Sequence, residues 1–245
     1  LLVFLAVALC APFFVQSFGG NYWVRVLDFA LLYIMLALGL NIVVGFAGLL
    51  DLGYIAFYAV GAYSMALLGS PHLANQFEWI QQLAPNGVHL TMWLVLPIAV
   101  LIAATFGVLL GAPTLKLRGD YLAIVTLGFG EIIRIFMNNL DRPVNITNGP
   151  KGITAVDPVH IFGFDFSKSH EIFGMKFTPV FMYYYLLVFL VIVIVFICLR
   201  LQNSRIGRAW VAIREDEIAA KAMGINTRNM KLLAFAMGAS FGGAS

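Results

Sequence analysis

Of the 245 residues only 11% are charged while 61% are hydrophobic, whereas a soluble domain carries about a quarter charged residues, so this chain cannot clothe a water-facing surface. A mean hydropathy of +0.91 agrees. With a net charge of only +3 the composition is that of a membrane protein, and no nucleic-acid partner is expected.

A bilayer core of roughly 30 Å needs about 20 apolar residues in helical conformation. Runs of that kind occur at Leu1 to Phe18, Val26 to Phe46, Tyr54 to Leu68, Met92 to Ala112, Tyr121 to Met137 and Pro179 to Leu199, and another begins near Leu232. The predicted fold is an all-α, polytopic transmembrane helix bundle of about six spans and the start of a seventh, forming a single transmembrane domain over 1–245. The first run lacks a basic n-region, and Ala8-Leu9-Cys10 puts a bulky residue where a signal peptide is cleaved, so it reads as a span. Leu1 and Ser245 both fall inside apolar runs and no initiator Met is present, so a longer intact protein is expected. Cys10 and Cys198 lie in apolar runs, where they behave as small hydrophobes.

Seven of the fifteen Lys and Arg residues (Arg200, Arg205, Arg208, Arg214, Lys221, Arg228 and Lys231) share one connection, 200–231, which the positive-inside rule places in the cytoplasm. Counting back makes 141–178 external, 113–120 cytoplasmic with Lys116 and Arg118, 69–91 external, 47–53 cytoplasmic and 19–25 external. Asn86-Gly87 and Asn148-Gly149-Pro150-Lys151-Gly152 are turn signals in the two longer external segments. Asn145-Ile146-Thr147 matches a glycosylation acceptor.

Charges within spans are costly, about 2.5 to 3.5 kcal/mol each near the bilayer centre. Glu131 and Arg134 stand at i, i+3 in the fifth run and Asn138 extends their stripe, so this face lines a transport route, locks helix packing, or reaches the interface. Gly128 and Gly130 beside them permit close helix contact or a broken helix. Asn41, Gly45, Gly48, Asp51 and Gly53 run between two apolar stretches, which fits an unwound segment of a binding route or a tight turn with Asp51 as N-cap. Gly107 with Gly111, and Gly238 with Gly242, form small-residue pairs suited to helix packing.

In the basic connection, Asn203-Ser204 offers an N-cap for a short helix over Arg205 to Arg214, with Ile206, Trp210 and Ile213 on one face. Asp216 can cap a second, Glu217 to Met223, stopped by Gly224, and Asn226 can cap the next span. Such a surface suits a cytoplasmic protein partner or anionic membrane lipid.

Here the sequence resembles a known family. Ile206-Gly207-Arg208-Ala209 and Ala212-Ile213-Arg214-Glu215-Asp216-Glu217-Ile218-Ala219-Ala220-Lys221-Ala222-Met223-Gly224-Ile225 are similar to the coupling loop of branched-chain amino acid permeases of ABC importers, in the LivM-like branch of the LivH and LivM family. The stretches Asn41 to Tyr54, Gly61-Ala62-Tyr63, Leu117 to Tyr121 and Thr126 to Arg134 resemble the same family. Tyr54 stands where the LivH-like branch often has His. The resemblance implies a multi-pass subunit of a bacterial inner membrane, paired with a second, LivH-like permease, cytoplasmic ATPase subunits and a periplasmic amino-acid-binding protein. It implies that Gly207, Arg208, Arg214, Glu215, Asp216, Glu217, Ala220 and Gly224 meet the ATPase, while the costly polar residues Asn41, Asp51, Glu131, Arg134 and Asn138 are the candidates for the translocation route.

No cofactor is expected, and with no G-x-x-x-x-G-K-[ST], G-x-S-x-G or H-E-x-x-H motif, ATP hydrolysis is expected on a partner rather than here. His72, His89, His160 and His170 are scattered over the external segments. The rival readings are an ion-coupled secondary transporter using Glu131 or Asp51, and a membrane-embedded transferase.

Overall fold

The computed structural model describes residues 2–85, 87–115, 117, 119–154, 156–161, 164–172 and 175–245. Leu1, Asn86 of the turn signal, and Lys116 and Arg118 of the expected cytoplasmic turn lie outside the described residues.

Helix α1 spans Leu2–Asn41 and passes into a π-helical turn, Ile42–Phe46; α2 is Ile55–Leu68, and two short helices, α3 (His72–Gln76) and α4 (Glu78–Leu83), follow. Then come α5 (Met92–Thr114), α6 (Asp120–Asn139), the hairpins β1 (His160–Ile161) with β2 (Phe164–Asp165) and β3 (His170–Ile172) with β4 (Met175–Phe177), and α7 (Pro179–Gln202). α8 (Arg205–Glu215), α9 (Glu217–Ala222) and α10 (Thr227–Ala244) complete the order. Ala8–Phe46, Met92–Thr114 and Pro179–Gln202 are long and apolar enough to cross a membrane, and Ile55–Leu68 is a shorter apolar helix. The chain is an all-α membrane helix bundle, as composition and periodicity predict. The two hairpins, antiparallel with His160 opposite Asp165 and His170 opposite Phe177, lie in the long segment read from sequence only as turns.

One expected connection is absent. Residues 19–25 do not form a loop: α1 continues through them and breaks only at Gly20 (φ 67°, ψ −166°), a conformation that a residue without Cβ adopts cheaply. Trp23 lies directly over Gly19, where a Cβ would fall 1.8 Å from its ring, and this close packing leaves no slack for a loop.

The chain gathers into two compact units, 1–35 with 158–197, and 36–157 with 198–245. In the first, Val24, Phe181, Tyr184 and Val188 are buried together, with Leu27, Leu31, Val180 and Tyr185 against them. Pro12 has no N–H, so the Ala8 carbonyl one turn earlier loses its helical partner. The Tyr184 hydroxyl donates to that carbonyl at 2.7 Å, and Tyr185 donates to Leu9 at 3.0 Å. Tyr184→Phe should therefore cost about 1 to 2 kcal/mol, read as a lower denaturation midpoint of the purified protein in micelles.

The second unit is built on α10 packed against α5 and α2. A Cβ on Gly107 would sit 2.6 Å from Ala239 Cβ, and one on Gly243 would sit 2.4 Å from Ala103 Cβ, so small residues set the separation of α5 and α10. Buried Ala99, Ala103, Phe235 and Ala239 fill the seam. The small-residue pairs are packing devices, as their spacing predicts.

Candidate functional site

The basic connection folds as its punctuation predicts. Ser204 Oγ accepts from the Gly207 amide at 3.1 Å and opens α8. Asp216 Oδ1 accepts from the Ile218 and Ala219 amides at 2.8 and 3.0 Å and opens α9. Gly224 (φ 85°) closes α9, and Asn226 Oδ1 accepts from the Asn229 amide at 3.2 Å to open α10. Each contact satisfies amides or carbonyls that a helix end leaves orphaned. Gly207 has a tertiary reason too: a Cβ there would lie 2.3 Å from the Leu201 carbonyl oxygen, so only glycine lets α8 fold back on the end of α7.

This pair of helices is anchored from beneath. Trp210 is fully buried and its indole donates to the Met230 carbonyl at 2.7 Å, while Ile213 is buried beside it. Lys231 Nζ meets Glu217 Oε2 at 2.7 Å with the lysine side chain only 11% exposed. Arg214 Nη1 donates to the Gly45 carbonyl at 2.6 Å, and its alkyl stem lies over Gly48, where a Cβ would meet Arg214 Cγ at 2.5 Å. Arg208 donates to the Asn203 carbonyl at 3.1 Å, Glu215 bonds Arg214 at 3.2 Å, and Ala220 is buried. Gly207 and Ala220 are thus buried, Glu217 is half-buried against Lys231 and the exposed Arg214 is bonded to the chain's own backbone, whereas Ile218 and Met223 stand 76% and 83% exposed. Sequence reasoning singled out neither, although two large apolar residues on a short basic loop were the signal.

Above α8 and α9 runs the broken segment. The π-turn places Ala47 N on Ile42 O at 3.3 Å and Leu49 N on Val43 O at 3.0 Å, and Gly48 takes φ 69°. Asn41 lies over Gly45, where a Cβ would fall 2.0 Å from Asn41 Oδ1. A cleft of about 280 Å³ separates this segment from the basic helices, lined by Leu49, Leu50, Gly119, Arg214, Glu217 and Lys231 among others. Beyond it the backbone seats on α6: the Leu52 amide donates to Thr126 Oγ1 at 3.0 Å, and Gly53 presses against Gly130, whose Cβ would come 3.0 Å from Gly53 Cα. Tyr54 is buried and donates to the Gly238 carbonyl of α10 at 2.9 Å.

Asp51 is 5% exposed. Its Oδ1 accepts from the Gly53 amide at 3.0 Å, a turn contact rather than the cap of α2, and its Oδ2 is buried without a partner. Burial pushes this carboxyl, in the connection between spans, up from 3.8 to about 6, with the Gly53 amide pulling the other way.

The other charged candidates lie elsewhere. Arg134 Nε bonds Glu131 Oε2 at 2.9 Å and Oε1 at 3.1 Å, with the two side chains 68% and 53% exposed, and Asn138 is exposed on the same helix. α6 is unbroken: Gly130 serves close contact and Gly128 meets nothing within 4 Å. In the external segment, Asn145 Oδ1 accepts from the Asn148 amide at 2.8 Å and its Nδ2 donates to Asn148 Oδ1 at 3.2 Å. Thr147 of the same motif is 2% exposed.

A connecting segment broken by glycines, seated on α6 and gripped by the α8 arginine, uses the same stretches that carry the family resemblance. The sequence model of the family described as "Branched-chain amino acid transport system / permease component" matches residues 22–245. The chain belongs to this family. It is 43% identical over 255 residues to the high-affinity branched-chain amino acid transport system permease protein LivM of Escherichia coli (strain K12), covering 99% of this chain and 55% of that protein. The namesake of Salmonella typhimurium is 42% identical with the same coverage. A probable LivM permease of Methanocaldococcus jannaschii is 28% identical over 229 residues, 86% of this chain and 62% of that one. The chain thus spans about 55% of the length of the first curated relatives it matches. No solved structure matches it significantly. Family membership and the apolar spans make this permease-family chain a multi-pass inner-membrane protein.

Proposed function

We propose that the chain is the greater part of a permease subunit of an ABC importer, forming part of the translocation route for branched-chain or related amino acids. The names of its relatives support the substrate class. The observation that carries the reading is the α8–α9 platform, rigidly anchored through Trp210, Arg214 and Lys231 and presenting Ile218 and Met223 outward. Two large exposed apolar side chains on fixed short helices are what a protein partner buries, and lipid alone needs no such cap-by-cap rigidity.

In this reading 200–231 faces the cytoplasm and docks separate ATPase subunits, where ATP hydrolysis takes place. Arg214 passes the motion of α8 to the segment 45–53, and the Gly53–Gly130 contact passes it to α6. The face of α6 with Glu131, Arg134 and Asn138 carries charges too costly to leave in lipid, so it faces the route or a second, LivH-like permease. The external segments receive a periplasmic amino-acid-binding protein. Because Glu131 is held by Arg134, it is poorly placed to serve as an ion-coupling carboxylate.

The test is leucine uptake by liposomes holding the full-length permease, its second permease and the ATPases, with the binding protein outside the membrane. Uptake is expected only with ATP on the ATPase side. Uptake driven by an ion gradient without any ATPase would overturn the reading in favour of a secondary transporter.

A further inference from the structure

One buried acidic group is left unused by the docking platform. Asp51 Oδ2 is enclosed without a hydrogen-bond partner, beside a cavity of about 10 Å³. Besides Asp51 and Gly53, the walls are Thr126 and the apolar side chains of Phe57, Leu110, Phe129 and Phe235, from α2, α5, α6 and α10. A void of that size holds one water at most. Thr126 Oγ1 is already committed, accepting from Leu52 N and donating to the Ala123 carbonyl.

Among the described residues no positive charge answers the carboxylate. Lys231, one turn before Phe235, is bound to Glu217, and Arg214 is bound to the Gly45 carbonyl. From α6 the charged groups are Asp120, exposed in its first turn, and Glu131 and Arg134, bound to each other on an exposed face. Tyr54 donates its hydroxyl to Gly238, and Cys198 adds a neutral thiol near Tyr54; α5 offers no ionisable group at the cavity. An unpaired carboxylate in such walls is strongly disfavoured, and its neutral form is the one the packing accepts.

We propose that Asp51 is a proton-binding site, which holds a proton on Oδ2 while the Leu52–Gly53 backbone is seated on α6 and releases it to water when that seat opens. The step balances as a carboxylate plus one solvent proton giving a carboxylic acid, with no other reactant. Oδ1 keeps its bond from the Gly53 amide in both forms. The seated conformation is therefore favoured by protons. As the folded-state value of about 6 lies above the ordinary 3.8, the folded chain holds more protons between those values. Stability is complete below the lower value and falls as pH rises through the higher one. This holds whether or not the chain proves to be an ABC permease, because the reading depends only on how the second unit packs.

The experiment compares unfolding midpoints of the full-length permease in nanodiscs, wild type against Asp51→Asn, from about pH 3.5 to about pH 8. Asparagine keeps the shape and the acceptor without the charge. The wild type should lose several degrees over this range relative to the variant, the two meeting at the acid end and the variant being the more stable at the alkaline end. Parallel profiles would overturn the proposal. Should the variant fail to fold, the wild type labelled with ¹³C-aspartate is read directly by infrared: a carboxylic-acid C=O band that titrates at about 6 is expected, and its absence overturns the proposal. Stabilisation of the wild type by Na⁺ over K⁺ at the alkaline end would also overturn it, since a bound cation rather than a proton would then neutralise the group.

Discussion

Ile218→Glu combined with Met223→Glu should abolish co-purification of the ATPase subunits with the permease and leave the permease folded. Both side chains are largely exposed, and neither takes part in the anchoring bonds of Trp210, Arg214 or Lys231. Removing them therefore costs the isolated chain little. In a docked complex each would bury most of a large apolar side chain, worth about 1.5 to 3 kcal/mol. Losing both, and placing two carboxylates in an apolar contact, should weaken association at least about 100-fold. Pull-down of the ATPases from detergent-solubilised membranes and ATP-driven uptake in liposomes measure this. The comparison is Arg214→Ala, which removes the grip on the Gly45 carbonyl rather than the outward surface. It should leave the ATPase bound yet lower uptake. Undiminished pull-down by the double variant would rule out these two residues as the docking anchors.

Gly53→Ala should destabilise the fold more than any other single-methyl change near the broken segment. The added Cβ would fall 2.1 Å from the Thr126 carbonyl oxygen and 2.9 Å from its carbon, and these are backbone atoms of a continuous helix that cannot step aside. The segment would have to leave α6, breaking the 3.0 Å bond from Leu52 N to Thr126 Oγ1 and opening the enclosure of Asp51. A loss of about 3 kcal/mol or more follows from overpacking and the lost bond together. Gly128→Ala, on the same helix with nothing within 4 Å, is the matched control. It should be neutral or gain up to about 1 kcal/mol from helix propensity. Denaturation midpoints of the two purified variants would separate the effects, and equal midpoints would refute the close packing of Gly53 on α6.

Part of the candidate site was legible because its signals are local. Ser204, Asp216 and Asn226 are polar residues ahead of apolar periodicity, and a glycine at 224 ends a short helix whatever surrounds it. Capping acts over three or four residues, so the sequence carries its whole cause. The stripe of Glu131 and Arg134 was equally readable, since i, i+3 spacing alone brings their side chains together.

Other features needed the fold. Nothing near Gly45 in the chain announces that Arg214, 169 positions later, will take its carbonyl, nor that Lys231 will turn inward to Glu217. Asp51 read equally well as an N-cap, and only the packing of α2, α5, α6 and α10 around it left one oxygen enclosed. Residues 19–25 suggested a loop because two apolar runs flank polar and aromatic residues, yet a single glycine absorbs the change of direction.

By itself the sequence determined that this chain lives in a membrane, that it is helical, and where its short helices begin and end, because hydrophobic length and capping are properties of contiguous residues. The tertiary structure alone decided which glycines are contacts, which charges face inward and which carboxylate lacks a partner. Those depend on distances between residues far apart in the chain, which no local pattern encodes.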